Sequence, residues 1–239
     1  RFTGEARGRP VPAILCVFAH PDDEAFGCSA TLARYAAQGI PVYLLCFTPG
    51  QHGERLEPLA SPEDVGALRV CELMASARVI GARETQTLDY VDGRLGEAPV
   101  SELAAIVAGC IERVKATAVI TFGPLGVTRH PDHIAVHHAV LEAARGLTDP
   151  PAVFYFVPEG AIDDLKLEGP EAQATHRIPT DGFVDVKLTS LAAHSSQRDA
   201  REFFLRWRAR PPAYEAFHRA FPPFRGAQAA KDLFAEDPS

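Results

Sequence analysis

The sequence predicts a single Rossmann-like α/β domain whose mainly parallel β-sheet is flanked by helices. Three observations carry that expectation. Apolar runs of strand length at 13–19, 41–47, 118–122 and 152–157 are continuous rather than alternating, which suits strands buried on both faces. Stretches with apolar residues at helical spacing alternate with them. The first strand, loop, helix and second strand together take about 35 residues, the length of one βαβ unit.

Taken in order, residues 1–12 are polar, Arg-rich and Pro-containing, a loose lead-in to the strand at 13–19. An acidic loop follows, then a helix over 30–38 carried by Leu32, Tyr35 and Ala36 and stopped by Gly39. The strand at 41–47 runs into Thr48-Pro49-Gly50 and the Gly-flanked polar loop 51–55, and 58–62 reads as an extended connection. Val65, Leu68, Cys71, Leu73 and Met74 form the stripe of a helix over 64–79, ended by Gly81. A short strand at 85–88 and a turn at 89–93 precede an amphipathic helix over 100–115. After the strand at 118–122 come a polar loop, a helix over 134–144 and the strand at 152–157. Residues 161–179 mix charge, Gly and Pro and read as an excursion. A strand at 183–186 and one long helix over 187–208 are expected next. The tail from Pro211 has aromatics and Pro pairs, so about 210–239 is assigned, like 1–12, to the periphery. No repeat, low-complexity segment or linker divides the chain, which is read as one domain over 1–239.

Composition narrows the function. The chain has 239 residues, 46% of them hydrophobic, and a formal charge of -7, which disfavours nucleic acid as a partner because phosphate binding needs clustered positive charge. No apolar run reaches bilayer-spanning length, so no membrane partner is expected. No secretory signal pattern is visible, although the sequence starts at Arg1 and leaves a removed leader open. Cys16, Cys28, Cys46, Cys71 and Cys110 are odd in number and share no CxxC spacing, which reads as reduced thiols and a cytoplasmic setting.

Chemistry concentrates in two loops. Ala19-His20-Pro21-Asp22-Asp23-Glu24 follows the first strand, and His130-Pro131-Asp132-His133 lies in the loop after the strand at 118–122. Acids favour helix N-termini, but capping accounts for one or two of them and not for His20. Ligands of such sheets sit outside the carboxyl ends of the strands, so two His-and-acid loops there can converge on one point. Catalytic zinc sites commonly take three protein ligands and keep a position open for water, a count that His, Asp and His satisfy. His-Pro-Asp-His alone is a weak signal; the pair of loops is a strong one.

Further pieces occur in a matching order: Thr48-Pro49-Gly50-Gln51-His52-Gly53-Glu54, residues 69–72, Asp92 and residues 187–197. On these motifs the sequence resembles the PIG-L/LmbE-like family of zinc-dependent N-acetylglucosaminyl deacetylases, which includes the mycothiol and bacillithiol types. The resemblance covers the chain to about residue 200. It implies a Zn2+ cofactor, a small-molecule amino-sugar conjugate as substrate, and removal of an acetyl group by metal-activated water. It also implies His20, Asp23 and His133 as metal ligands, Asp22 as general base, and His130 as oxyanion stabiliser or acid. Glu54, Arg69 and Asp92 would contact the sugar or shape its pocket. Thr128 stands where some members carry a tyrosine, which removes that candidate for polarising the carbonyl. A His₂Asp donor set also accepts iron or cobalt.

The residues themselves add detail. Asp132 is expected to hold His130 and keep it protonated, since nearby negative charge raises a histidine pKa, or else to close the turn. Asp22 and His130 are both candidates for protonating the departing amine. Glu24 is assigned to holding His20 or the loop backbone, or to capping the following helix, and His194 to structural hydrogen bonding or substrate contact. Arg69 has Glu72 at i+3 as an alternative partner. His137 and His138 face solvent or support the site. Trp207, Phe203 and Phe204 suit a core or a homo-oligomer contact better than a sugar platform. Two rival activities remain: an amidase acting on a larger acyl group, and a non-catalytic metal- or nucleotide-binding module. The nucleotide version lacks a G-x-G-x-x-G after the first strand, and an acidic loop repels phosphate. A non-catalytic metal site has no use for the spare carboxylate of Asp22.

Overall fold

The computed structural model describes residues 11–54 and 61–236. Most of the expected lead-in and part of the connection at 58–62 lie outside the described residues. The chain opens with strand β1 (Ile14–Phe18), helices α1 (Asp23–Gly27) and α2 (Ser29–Ala37) and strand β2 (Val42–Cys46). Helix α3 (Pro62–Ile80), strand β3 (Glu84–Thr87), helix α4 (Val100–Val114) and strand β4 (Ala118–Thr121) follow. A short turn of helix, α5 (Gly126–Arg129), abuts α6 (Pro131–Gly146), and strand β5 (Ala152–Val157) comes next. The last third holds α7 (Ile162–Leu165), β6 (His176–Pro179), α8 (Val184–Ala193), α9 (Arg198–Ala209) and β7 (Tyr214–Phe221).

The strands form a seven-stranded sheet in the order β3-β2-β1-β4-β5-β7-β6. The first five in that order pair in parallel, and β7 pairs antiparallel with β5 and β6. The mainly parallel α/β class is therefore the observed one. Every residue of β1 and β4 is buried, as continuous apolar runs require. Edge strand β3, Glu-Thr-Gln-Thr, exposes alternate polar residues, which discourages further strand pairing. Ile14, Leu15 and Val17 are each at most 2% exposed, worth ~1.5–3 kcal/mol apiece in burial. The strand order reverses between β1 and β4. With right-handed crossovers this sends α2 and α3 to one face and α4 and α6 to the other, and opens a crevice at the carboxyl ends of β1 and β4.

Several expected boundaries move. Helix α6 begins at Pro131 rather than 134, because proline suits the first helical position and forces the preceding His130 to φ -65°, ψ 128°. Residues 183–186 are not a strand: α8 starts at Val184 and buries Lys187, Ser190 and Leu191, a helical spacing that a four-residue apolar run does not reveal. The single helix over 187–208 is two, α8 and α9. It breaks at 194–197 because Glu72 accepts the Ser196 N–H at 2.8 Å and the Ser196 hydroxyl at 2.7 Å. The tail is not wholly peripheral, since β7 inserts between β5 and β6. The excursion at 161–179 ends in β6. The Pro pairs that made residues 211–223 read as irregular bound the strand instead.

Candidate metal and catalytic site

The two His-and-acid loops meet at the crevice between β1 and β4. Asp22 begins α1 with φ 117°, a left-handed conformation uncommon for a non-glycine residue. Glu24 holds it there: its Oε2 accepts the Asp22 N–H at 3.1 Å. Asp23 Oδ2 accepts the His20 N–H at 2.8 Å, which closes the loop on itself.

Two ring nitrogens and the two oxygens of one carboxylate face one another. His20 Nδ1 lies 3.2 Å from His133 Nε2, which lies 3.4 Å from Asp23 Oδ1. His20 Nδ1 is 3.8 Å from Asp23 Oδ2. Imidazole nitrogen and carboxylate oxygen are donors of the kind that a divalent cation such as zinc takes. The opposite ring nitrogens are committed. His133 Nδ1 donates to the Gly126 carbonyl at 3.0 Å. His20 Nε2 faces Asp92 Oδ1 at 3.0 Å and Asp132 Oδ2 at 3.2 Å. Each imidazole is thereby set in the tautomer that turns its lone pair inward, as a carboxylate or carbonyl behind a metal-binding histidine does. Two facing lone pairs repel unless a proton or a cation lies between them, so the donor set fits a divalent metal. Without one, burial opposes charge on His20, but Asp132 and Asp92 outweigh it and lift its pKa to about 10. Burial pushes Asp23 up to about 7 and His133 well below the ordinary histidine value.

Among the described residues, two donor groupings have ligand atoms all within 4.8 Å of one another, His20 with His130 and His133, and His20 with Asp92 and Asp132; Asp23 belongs to neither. The second is already occupied by hydrogen bonds. Asp132, fully buried, accepts the Gly93 N–H at 2.7 Å and the Leu95 N–H at 2.9 Å. Asp92 Oδ2 accepts the His52 N–H at 3.0 Å. These carboxylates are better matched to His20 Nε2–H than to a cation.

Asp22 adjoins the centre from the α3 side. Arg69 donates to its Oδ2 at 2.8 Å, to the Pro21 carbonyl at 2.7 Å and to the Gly50 carbonyl at 2.7 Å. Burial raises the Asp22 carboxyl to about 6 against the lowering pull of Arg69, which brings it close to neutrality, where a general base works best. The Gly50–Gly53 loop wraps the guanidinium so closely that a Cβ on Gly53 would lie 2.0 Å from Arg69 Nη1.

One expected pairing differs. Asp132 does not hold His130. His130 Nδ1 instead accepts the Asp132 N–H at 3.2 Å, so the ring caps α6, and burial with the nearby His20 charge lowers its pKa. His130 is thus a neutral imidazole carrying its proton on Nε2, with its centroid 4.6 Å from that of His20. Arg69 is 3% exposed and spent on protein contacts, paired neither with Glu72 nor with a free surface. Asp92 supports His20 and the 52 loop. His137 is buried, donating to the Phe122 carbonyl, while His138 is exposed. Glu54 is exposed at the end of the described 49–54 segment, and Thr128 is exposed too. Glu24 and His194 pair at 2.6 Å, with Ser76 donating to the same Glu24 oxygen at 2.6 Å and touching Ser190 at 2.7 Å. Ser76, Ser190 and Gly126 carry no signal in the sequence, because their partners lie 7 to 114 positions away. Lys187 and Glu215 form a buried ion pair behind α1, and Glu215 also accepts the Ala30 and Thr31 N–H groups.

A parallel-sheet α/β protein with a buried His/Asp centre at its switch point is a class with a known membership. The PIG-L family profile, described as GlcNAc-PI de-N-acetylase, matches residues 15–144, and the chain belongs to that family. It is 30% identical over 187 residues to a probable N-acetyl-alpha-D-glucosaminyl L-malate deacetylase 2 of Bacillus anthracis, covering 77% of this chain and 80% of that one. It is 34% identical over 259 residues to a 1D-myo-inositol 2-acetamido-2-deoxy-alpha-D-glucopyranoside deacetylase of Streptomyces scabiei, covering 83% and 80%. Among solved structures, GalB, the 4-carboxy-2-hydroxymuconate hydratase of Pseudomonas putida, superposes with a TM-score of 0.69 at 20% identity, over 91% of this chain and 100% of that one. That likeness concerns the fold alone; the chemistry must be argued from the site.

Proposed function

We propose that the protein hydrolyses the acetamide of an N-acetylglucosamine unit in a small conjugate, releasing acetate and the free amine. His20, Asp23 and His133 would hold the metal. The observation that carries this reading is the pair of committed ring nitrogens, His20 Nε2 on Asp92 and Asp132 and His133 Nδ1 on Gly126, which leaves two lone pairs and a carboxylate oxygen aimed at one point. The relatives' deacetylase names support the reaction class.

When bound, a divalent ion supplies Lewis acidity and makes water nucleophilic near neutral pH. Asp22, with one oxygen held by Arg69, takes the water proton through the other. His130, its Nδ1 held by the Asp132 N–H, presents Nε2–H to the oxyanion of the tetrahedral intermediate, a contact worth about 3 kcal/mol when well placed. The proton held by Asp22 then passes to the departing amine. A neutral His130 is a donor rather than a strong acid, which favours Asp22 for that transfer. Zinc is the first expectation; iron and cobalt suit the same donors. All five cysteines are free, in keeping with a reducing, cytoplasmic setting, and among the described residues no helix is long and apolar enough to cross a membrane.

The test is turnover of acetylated against bulkier acylated glucosamine conjugates, with zinc and after chelation. Metal-dependent release of acetate supports the reading. Preference for a bulky acyl group would assign an amidase, and metal binding without turnover of either substrate a non-catalytic module.

A further inference from the structure

The turn that precedes His130 is strained. Gly126, Val127 and Arg129 have φ of 62°, 63° and 62°, and Val127, with ψ -62°, occupies a γ-turn well that β-branched residues seldom enter. Such a backbone is unfavourable for Val127 and Arg129, which carry a Cβ, and persists only where its surroundings impose it.

The group that imposes it is Glu171, in the 3₁₀ turn Gly169–Ala172 between β5 and β6. Its side chain is fully buried, with Oε2 accepting the Leu125 N–H at 2.6 Å and Oε1 the Val127 N–H at 3.0 Å. Gly123 makes room for it: a Cβ there would sit 2.1 Å from Glu171 Cγ. Arg129 ties the turn to the same segment by donating to the Leu165 and Lys166 carbonyls at 2.9 and 3.0 Å.

The Val127 N–H and the Gly126 carbonyl belong to one peptide group, which is planar and points the two in opposite directions. Glu171 grips the first, and the second accepts His133 Nδ1–H at 3.0 Å. A carboxylate on the N–H also polarises the carbonyl, strengthening the bond beyond it. We propose that Glu171 is a positioning residue which acts on His133 through the Gly126–Val127 peptide, fixing its tautomer and aiming Nε2 at the centre. It does for His133 what Asp92 and Asp132 do directly for His20. The proposal rests on the metal-site reading for its consequence in catalysis, but not for the hydrogen-bond relay itself.

Glu171→Gln removes the charge and turns an amide NH₂ towards one of the two donors. The folded variant is expected to bind zinc about 10–100-fold more weakly, in competition with a chelating dye. In the metal-free chain carrying His20→Ala, which removes the proton that His20 otherwise points at His133 Nε2, ¹⁵N NMR of the His133 ring should show loss of the proton fixed on Nδ1 when Glu171→Gln is added. Gly123→Ala displaces the same carboxylate with its charge intact and should act in the same direction, so the test survives if Glu171→Gln does not fold. Unchanged zinc affinity with an unchanged His133 tautomer in the folded variant would overturn the proposal, even if its melting temperature fell. If the unaltered chain binds no zinc, the metal reading fails by itself. The difference in tautomer between the two proteins then still decides the role of Glu171.

Discussion

His133 and His194 are both buried imidazoles that face a carboxylate beside Asp22, yet they do different things. His194 Nε2 points straight at Glu24 Oε1 at 2.6 Å, and each group stabilises the other's charge. Against the cost of burial, Glu24 raises the His194 pKa and His194 lowers that of Glu24. His133 is held from behind by a neutral carbonyl and faces the Asp23 oxygen only at 3.4 Å, with another ring nitrogen closer still. Burial therefore drives it neutral. One cluster is an ion pair that clamps the Asp22 backbone, and in the other a neutral ring turns Nε2 towards His20 and Asp23. The residue types are the same; what stands around the ring decides whether it carries charge.

The two clusters should separate under mutation. His133→Ala is expected to abolish zinc binding, measured as metal content after dialysis, while His194→Gln keeps the metal; equal loss in both would erase the distinction. Asp22→Ala lies between the clusters and should retain zinc but lose roughly 10²–10⁴-fold in kcat, the range of general base catalysis. Near-normal turnover would remove Asp22 from that role. Breaking the closed pair by Glu24→Ala is expected to cost about 3–5 kcal/mol of stability in denaturant unfolding, because a buried charge loses its partner. A cost below 1 kcal/mol would show the pair to be uncharged.

Acidity sharpens the contrast further. Metal must displace the proton that His20 holds up to about pH 10 in the free chain, so zinc affinity should rise about tenfold per pH unit from 7.5 to 9. Below 7, where Asp23 is also protonated, the dependence should steepen. A pH-independent affinity in a titration with buffers of differing ionisation enthalpy would contradict the assignment. The smallest effect belongs to the closed pair. His194, with its pKa raised, adds stability below its ordinary 6.5 that is lost as pH rises through its folded value. Glu24, with its pKa lowered, adds stability above its ordinary 4.5 that is lost as pH falls through its folded value. The gap in melting temperature between the unaltered chain and His194→Gln should therefore be widest between about pH 4.5 and 6.5 and close at both extremes.

Much of this was legible beforehand because it is written in short-range pattern. Continuous apolar runs revealed β1, β2, β4 and β5. β7 escaped because prolines bound it on both sides and its pairing partners lie far away in sequence. The break between α8 and α9 escaped because Glu72, which takes the Ser196 N–H, comes from another helix. The same limit applied in the site. Asp92 and Arg69 were legible as members of it, but their protein partners were not, since His20, Asp22 and Gly50 lie far from them in the sequence.

Taken alone, the sequence determined the fold class and the two His-and-acid loops that converge, because strand ends in a parallel sheet deliver their loops to a common edge. Only the tertiary structure decided what each group does. Hydrogen bonds from distant segments choose which nitrogen of a histidine keeps its proton, and that choice is invisible to local pattern. Asp132 turned from the partner of His130 into the support of His20 by that route.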